Sequence, residues 1–253
     1  MTDPQSWQRE WARQLREENR WRRKALHRQP GELQARIAEK VPETVRDTLT
    51  AAFGAAFSAA LAGEPLLRRT ASPKAEARRL ARAEEQLRTP ERFSSVRGTG
   101  RSAVFSAAAA SAVRGSGLGL LGIFAASLLR SLGQIARGYG YITSTRKERR
   151  IMLLVLDAAL TGGMEYQALS DQLDQALSGT ELTGLSEQEL ADRVAGKLAE
   201  ELLAAKFLQG IPLAGAVGGV LDSRLTARLL DYAALKYNRR FLLDHRPAGA
   251  AGL

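Results

Sequence analysis

The sequence predicts an all-α protein, and three observations support that fold class. Aromatic residues make up only 6% of the 253 residues, whereas alanine, leucine and arginine, which favour helix over sheet, are the most frequent. No segment shows the alternation of apolar and polar residues that is typical of a strand. Apolar residues recur at helical spacing instead, and Gly, Pro and capping residues divide the chain into helix-sized segments. We expect one bundle-like domain of about eight to ten helices with glycine-rich hydrophobic hairpins.

The chain divides into three predicted parts. Residues 1–30 form a basic amphipathic arm, residues 31–246 the all-α domain, and residues 247–253 a flexible tail. The arm has no apolar run behind its basic residues, so we expect no secretory signal there.

The predicted arm is a basic helix. Trp7, Trp11 and Leu15 recur every four positions and share one helix face, while the arginines lie on other faces. Such a helix suits a lipid interface, because Trp prefers the headgroup zone and Arg pairs with anionic lipid. Docking on the rest of the protein and disorder are the alternatives. The candidate lipid contacts are Trp7, Trp11, Arg13 and Arg20.

A stripe of apolar residues four apart follows, from Leu33 to Leu61. Pro42 interrupts the stripe, and its missing N–H suits the first turn of a new helix. This helix should end at Ala62, because Gly63 is a typical C-terminal stop. It carries no charge after Thr48, so we expect it to be buried almost all round.

The segment from Leu66 to Arg101 is strongly basic, with ten Arg or Lys against four Glu, a net charge of +6. It is predicted to hold a polar helix to about Arg88 and then a loop. The whole chain has a net charge of +10, which suggests a polyanionic partner. The candidate anion-binding residues here are Arg68, Arg69, Arg78, Arg79 and Arg82.

Two stretches are apolar and rich in glycine. Ala103–Tyr141 is predicted to form two helices folded back at Gly115–Gly119, and residues 207–221 lead into a last helix whose later, charged half should be solvated. The uncharged runs reach only fifteen or sixteen residues, whereas a membrane span needs about 20. A protein core and partial insertion as helical hairpins both remain open. The predicted packing motif comprises Pro212, Gly215, Gly219, Gly115, Gly119 and Gly122, since glycines four apart let backbones touch.

Two capping boxes mark helix starts in the second half of the chain. Thr145 with Glu148 begins a helix that should end at Leu160, and Ser186 with Glu189 begins one that reaches about Gln209. An acidic helix is predicted between them.

Residues for common catalytic chemistry are scarce. The chain has no cysteine and two histidines, and because His27 and His245 are isolated in the terminal regions, neither a zinc site nor a triad is predicted. Residues 117–122, "GLGLLG", match a dinucleotide-binding spacing but follow an alanine-rich helical run, not a strand. We expect no cofactor and no bound metal.

Three segments resemble the EcsC family of bacterial proteins: "IPLAGAVGGVLDSRL…ALKYNRRFL", "SLGQIARGYGYITSTRKERRIMLLVL" and "IAEKVPETV". Together they cover Ile37 to Leu243, and the arm before Gly31 lies outside the resemblance. The polar positions that resemble the family are Tyr139, Tyr141, Glu148 and Asp222. At position 222 the family commonly has Asn instead of Asp. The resemblance implies a membrane-linked role on the cytoplasmic side of a bacterial membrane. The founding member is encoded beside ABC transporter components, and the family has no established catalytic residues.

The leading hypothesis is therefore a non-enzymatic protein, peripheral at the inner membrane face, that binds anionic lipid or a membrane protein such as an ABC transporter component. An enzyme of unrecognised type is one alternative, with Asp157 and Asp222 as acids in otherwise apolar stretches. Because a buried carboxylate is costly unless paired, each should sit at an edge or meet an arginine such as Arg149 or Arg224. Nucleic acid is a less favoured partner, since no reader motif accompanies the basic run.

Overall fold

The computed structural model describes residues 4–28, 41–62, 117–180, 184–208 and 223–247. These residues form seven helices and no strand, so the all-α prediction is confirmed. The helices are α1 (Pro4–Leu26), α2 (Glu43–Ala62), α3 (Gly117–Gly138), α4 (Arg146–Leu160), α5 (Gly163–Leu177), α6 (Glu187–Leu208) and α7 (Ser223–Asp244).

The predicted helix ends agree with the structure where capping chemistry defined them. Helix α4 runs from Arg146 to Leu160 as the first capping box predicted. Helix α2 is described to Ala62, so its predicted stop at Gly63 lies outside the described residues. Helix α6 follows the second capping box. The helices predicted within 33–40, 72–88 and 103–114, and the start of the last helix at Pro212, lie outside the described residues.

Helix α4 forms the centre of the described fold. It contacts α3, α5, α6 and α7, and every residue from Ile151 to Leu160 is buried. A continuous apolar run suits this position because the helix is covered on all sides. Helix α2 packs on α3 and α6, whereas α1 packs on α5 and α7.

Helix α7 is largely buried, which corrects the prediction of a solvated basic helix. The side chains of Tyr232, Tyr237 and Phe241 are at most 1% exposed. The cations are covered because acids on other helices meet them: Lys236 Nζ lies 2.6 Å from Asp174 Oδ1, and Arg239 Nη1 lies 2.7 Å from Glu18 Oε2. Paired charges can face neighbouring helices at a smaller cost than isolated ones.

Helix α2 is buried on one face only, so the expectation of nearly complete burial is wrong. Leu49, Phe53 and Phe57 face the core, whereas the small residues Ala51 and Ala55 are exposed. The absence of charge was a poor guide to burial, because exposing an alanine side chain to water costs little free energy. Within the described ranges, no helix is both long and apolar enough to span a membrane.

Helix α1 is docked on the rest of the protein, which is one of the alternatives that the sequence had left open. The side chains of Trp7 and Trp11 are 2% and 6% exposed, and their rings stack with centroids 5.4 Å apart. Trp7 Nε1–H donates to the backbone oxygen of Leu242 at 2.8 Å, and Gln14 Nε2 donates to that of Leu235 at 2.8 Å. Helix α1 therefore belongs to the same core, while an arm boundary at residue 30 stays a prediction.

Candidate functional site

The outward face of α1 carries a row of exposed arginines. Arg9, Arg16, Arg20 and Arg23 are all exposed. Their spacing places them on one side of the helix, opposite the side of Trp7, because each residue advances an α-helix by about 100°. The row is about 21 Å long, since fourteen residues separate its ends. We call these four residues the basic stripe.

The acids of α1 lie away from the basic stripe. Glu10 is 8% exposed, and Glu18 contacts Arg239 of α7. Glu10 and Glu17 each approach Arg13 to 3.7 Å. Arg13, a candidate lipid contact, is therefore flanked by acids, whereas Arg20 belongs to the stripe. No stripe arginine forms an ion pair with another residue in the described part of the chain.

A shallow recess adjoins the C-terminal half of the stripe. Its volume is about 440 Å³ and the described residues that line it all belong to α1. They are Arg16, Asn19, Arg20, Arg22, Arg23 and Leu26. Four guanidinium groups around one recess favour an anionic headgroup or side chain, since guanidinium pairs with phosphate and carboxylate.

Glu148, itself buried, is the centre of a second polar group. Thr145 Oγ1 accepts a hydrogen bond from the Glu148 backbone N–H at 3.1 Å, as a capping box requires. The Glu148 side chain is instead directed to α7, where Oε1 accepts from the Tyr237 hydroxyl at 2.6 Å and Oε2 from Arg240 Nη1 at 2.8 Å. The carboxylate thus joins the start of α4 to α7.

Tyr139 and Tyr141 lie beside this group. The family resemblance had singled out both tyrosines but did not predict their position. The Tyr141 hydroxyl donates to Asp244 Oδ2 at 2.7 Å, and the Arg240 guanidinium lies 3.8 Å from the centroid of its ring. The Tyr139 ring contacts Phe241, with centroids 5.9 Å apart. We call Tyr141, Glu148, Tyr237, Arg240 and Asp244 the Glu148 cluster.

The protonation states of the Glu148 cluster follow from burial and pairing. Burial, and then the hydrogen bond to Asp244, raises the pKa of the Tyr141 hydroxyl. Burial and the charge of Glu148 raise the pKa of Tyr237. Burial alone would lower the pKa of Arg240, but the charge and hydrogen bond of Glu148 outweigh it and raise that pKa. Neutral tyrosine donors and a charged guanidinium therefore stabilise a carboxylate, an arrangement suited to holding two helices together.

Asp157 is fully buried and paired. Its side chain has no exposed area, and its oxygens lie 2.7 Å from Lys197 Nζ and 2.9 Å from Arg193 Nη2. Lys197 also donates to Thr161 Oγ1 and, at 3.2 Å, to Glu165 Oε1. The expectation that Asp157 meets an arginine is confirmed by Arg193. The arginine suggested for it, Arg149, was wrong, because it lies eight residues earlier on the same helix, about 12 Å away along the axis. Arg149 contacts Glu187 instead, at 3.0 Å.

Several predicted residues lie outside the described residues, so their predicted roles stay predictions. Gly119 and Gly122 lie within α3, which already begins at Gly117, so the turn predicted at Gly115–Gly119 is wrong for its last three residues. A meeting of Asp157 with Asp222 likewise remains untested. The residues outside are Arg68, Arg69, Arg78, Arg79, Arg82, Gly115, Pro212, Gly215, Gly219 and Asp222.

Metal-ligating side chains do not gather in the described ranges. No group of three or more His, Cys, Asp or Glu residues is placed there to hold an ion.

Comparison with known families gives a match over most of the chain. A model described as the EcsC protein family matches residues 5–242. This chain belongs to the EcsC family. No curated protein and no solved structure matches the chain. The matched range begins within α1, which corrects the expectation that the arm lies outside the family pattern.

Some site residues of this EcsC-family chain were missed from the sequence. Tyr237 and Arg240 stand in the segment "ALKYNRRFL" that carried the resemblance, yet nothing in the sequence paired them with Glu148. Arg193 and Lys197 are four residues apart and so share a helix face. That spacing was a signal for a joint partner, but it does not identify Asp157.

Proposed function

We propose that this EcsC-family protein is a non-enzymatic peripheral protein that binds anionic lipid at the cytoplasmic face of a bacterial membrane through the basic stripe. The observation that carries the proposal is the orientation of α1. Trp7 and Trp11 are buried, and the arginines of the basic stripe, which form no ion pair with another described residue, face outward. A membrane would therefore meet a row of guanidinium groups on a rigid helix.

The charge of the stripe is sufficient for reversible binding. A basic residue close to an anionic leaflet contributes about 1 kcal/mol, so four residues contribute on the order of 4 kcal/mol. The basic segment from Leu66 to Arg101, with its net charge of +6, would add to this attraction. The interaction is screened beyond about 8 Å at physiological ionic strength, so binding should be limited to the membrane surface.

The proposed contact differs from insertion of the arm into lipid. In the interfacial model, Trp7 and Trp11 enter the headgroup zone. In the described conformation these rings pack on each other and on α7. Removing these two large side chains from the core would cost about 3–5 kcal/mol of stability each, by comparison with large-to-small core substitutions. Surface binding through the stripe avoids that cost.

The test is flotation of the purified full-length protein with protein-free vesicles. Vesicles of phosphatidylcholine are compared with vesicles that contain phosphatidylglycerol, at low salt. The R16Q/R20Q variant removes two stripe charges, and R130Q/K147Q removes two exposed charges elsewhere. We expect R16Q/R20Q to weaken binding to anionic vesicles about tenfold or more, and R130Q/K147Q to weaken it less than about threefold.

Other partners give different results in the same assay. A membrane protein partner, for which an ABC transporter component is the candidate, predicts binding to native membranes but not to protein-free anionic vesicles. Nucleic acid as the ligand predicts that DNA displaces the protein from anionic vesicles at equal phosphate concentration. Failure to float with anionic vesicles at low salt would refute the lipid proposal.

The enzyme alternative gains no support from Asp157, because Lys197 and Arg193 form ion pairs with its carboxylate.

A further inference from the structure

A cavity of about 670 Å³ opens where α2 ends and α4 and α6 begin. Helix α4 contributes Arg146, Arg149 and Arg150 to its wall. Leu61 and Ala62 line it from the end of α2, and residues 184–188 from the start of α6. No α1 residue is among the described residues that line it, so the cavity is separate from the basic stripe.

Three arginines converge on this cavity because of their spacing. Residues three and four apart on a helix are neighbours on one face. Arg149 is held by Glu187 at 3.0 Å and by the Ser144 backbone oxygen at 3.0 Å. Arg150 Nη2 donates to the Leu185 backbone oxygen at 2.7 Å. Two of the guanidinium groups are thus fixed in the wall before any ligand arrives.

Arg146 differs from the other two. Its side chain is exposed at the first position of α4. No hydrogen bond or ion pair joins it to another residue that the structure describes. It is therefore available to a ligand without breaking a described contact.

The charges and walls of the cavity define a ligand class. Three guanidinium groups face one carboxylate, Glu187, which leaves a net charge of +2 among the described lining residues. A phosphate monoester carries about −1.5 to −2 at pH 7, and guanidinium binds its oxygens in pairs. The starts of α4 and α6 add partial positive charge. Leu61, Ala62 and Leu185 give an apolar wall for an organic group, which inorganic phosphate lacks.

We infer that this cavity binds a phosphate monoester, with its phosphate on Arg146 and Arg150 and its organic part against Leu61 and Leu185. Such a group occurs in soluble phosphate esters and in the headgroup of phosphatidic acid. The volume is within the range of about 300–1,000 Å³ that small-molecule sites occupy. This inference does not depend on lipid binding by the basic stripe.

The test titrates the full-length protein with glycerol 3-phosphate by calorimetry, in a phosphate-free buffer of constant ionic strength. In a parallel arm, vesicles that contain phosphatidic acid are compared with phosphatidylglycerol vesicles of equal surface potential. The R146Q variant removes the exposed guanidinium of the cavity. K147Q removes an exposed charge on the adjacent residue, which does not line the cavity, and serves as the matched control.

We expect R146Q to weaken binding to glycerol 3-phosphate about tenfold and K147Q less than twofold, because one charge-assisted contact is lost only in the first. If only the vesicle arm responds, with R146Q abolishing the preference for phosphatidic acid, the ligand is the lipid headgroup. Equal effects of R146Q and K147Q, or binding of neither probe, would overturn the inference. R16Q/R20Q should leave the affinity for glycerol 3-phosphate unchanged, so failure here is distinguishable from failure of the stripe.

Discussion

Two glutamates occupy the same position in two capping boxes but have different roles. The carboxylate of Glu189 accepts a hydrogen bond from the Ser186 backbone N–H at 2.6 Å, which completes its capping box. Glu148 leaves this position and bonds to Tyr237 and Arg240. The difference is one of surroundings: residue 189 is exposed, whereas residue 148 faces α7. The carboxylate of a capping box therefore leaves the helix start where side chains of another helix offer stronger hydrogen bonds.

Replacing Glu148 with alanine should destabilise the protein more than replacing Glu189. In E148A the buried hydroxyl of Tyr237 and the partly buried guanidinium of Arg240 lose their acceptor. Removal of one member of a fully buried ion pair costs about 3–5 kcal/mol, which is the upper bound for this partly exposed pair. E189A removes an exposed cap and serves as the control. Urea denaturation followed by circular dichroism measures both free energies of unfolding. Equal losses would show that Glu148 acts only as a helix cap.

The cap at Glu189 should contribute to stability in a pH-dependent way. Hydrogen bonds from the Ser186 backbone and hydroxyl lower the pKa of Glu189 from its ordinary value of 4.5. A carboxyl group with a lowered pKa in the folded state stabilises it above the unfolded pKa, and loses that effect as pH falls through the folded pKa. The difference in unfolding free energy between wild type and E189Q should be constant at neutral pH and shrink below about pH 4.5. A difference that grows on acidification would contradict this assignment, and S186A should reduce the pH-dependent part.

At the scale of elements, the proposed membrane contact depends on the orientation of α1. The chain has three tryptophans, and Trp7, Trp11 and Trp21 all belong to α1. Trp21 packs on Tyr232 of α7, with ring centroids 4.9 Å apart. The tryptophan component of the fluorescence therefore reports on this helix, since all tyrosines of the chain lie outside it.

Vesicle binding should leave the tryptophan fluorescence almost unchanged. The rings of Trp7 and Trp11 are already buried, so binding through the basic stripe gives no shift of the emission maximum and no quenching by brominated lipids. Insertion of α1 would bring the rings into contact with acyl chains, and brominated lipids would then quench them strongly. W7F/W11F, which leaves Trp21 as the only reporter, locates any quenching along the helix.

The sequence predicted where the helices lie in the chain better than which helices pack against each other. Caps and stop residues act within four or five positions, so α4 begins and ends where expected. The burial of α7 was missed because its partners are distant in the chain: Lys236 and Asp174 are 62 residues apart, and Arg239 and Glu18 are 221 apart. The same reason explains why Asp157 was recognised as needing a cation but was assigned Arg149 and not Lys197. Local patterns determine element type, whereas pairing depends on tertiary packing.

At the scale of the whole molecule, some acids of the described residues offset cations on other helices. Residues 165–201 hold nine acids and two bases, a net charge of −7. Several of these acids meet cations of other helices: Asp174 meets Lys236, Glu187 meets Arg149, and Glu201 meets Arg228 at 2.6 Å. The exposed stripe of α1 lacks such partners among the described residues. A net charge of +10 is thus presented unevenly, with uncompensated cations on the outside.

This division predicts that salt separates membrane binding from folding. Exposed charges are screened when the Debye length falls from about 14 Å at 0.05 M to about 4 Å at 0.5 M salt, whereas buried pairs are screened much less. Raising NaCl over this range should weaken binding to phosphatidylglycerol vesicles by at least about tenfold, while the urea midpoint of unfolding changes little. Flotation and denaturation at matched salt concentrations measure the two effects. If both fall together, the internal pairs of α7 are solvent-accessible, and the stripe is not the distinct electrostatic surface that the fold of α1 on α7 implies.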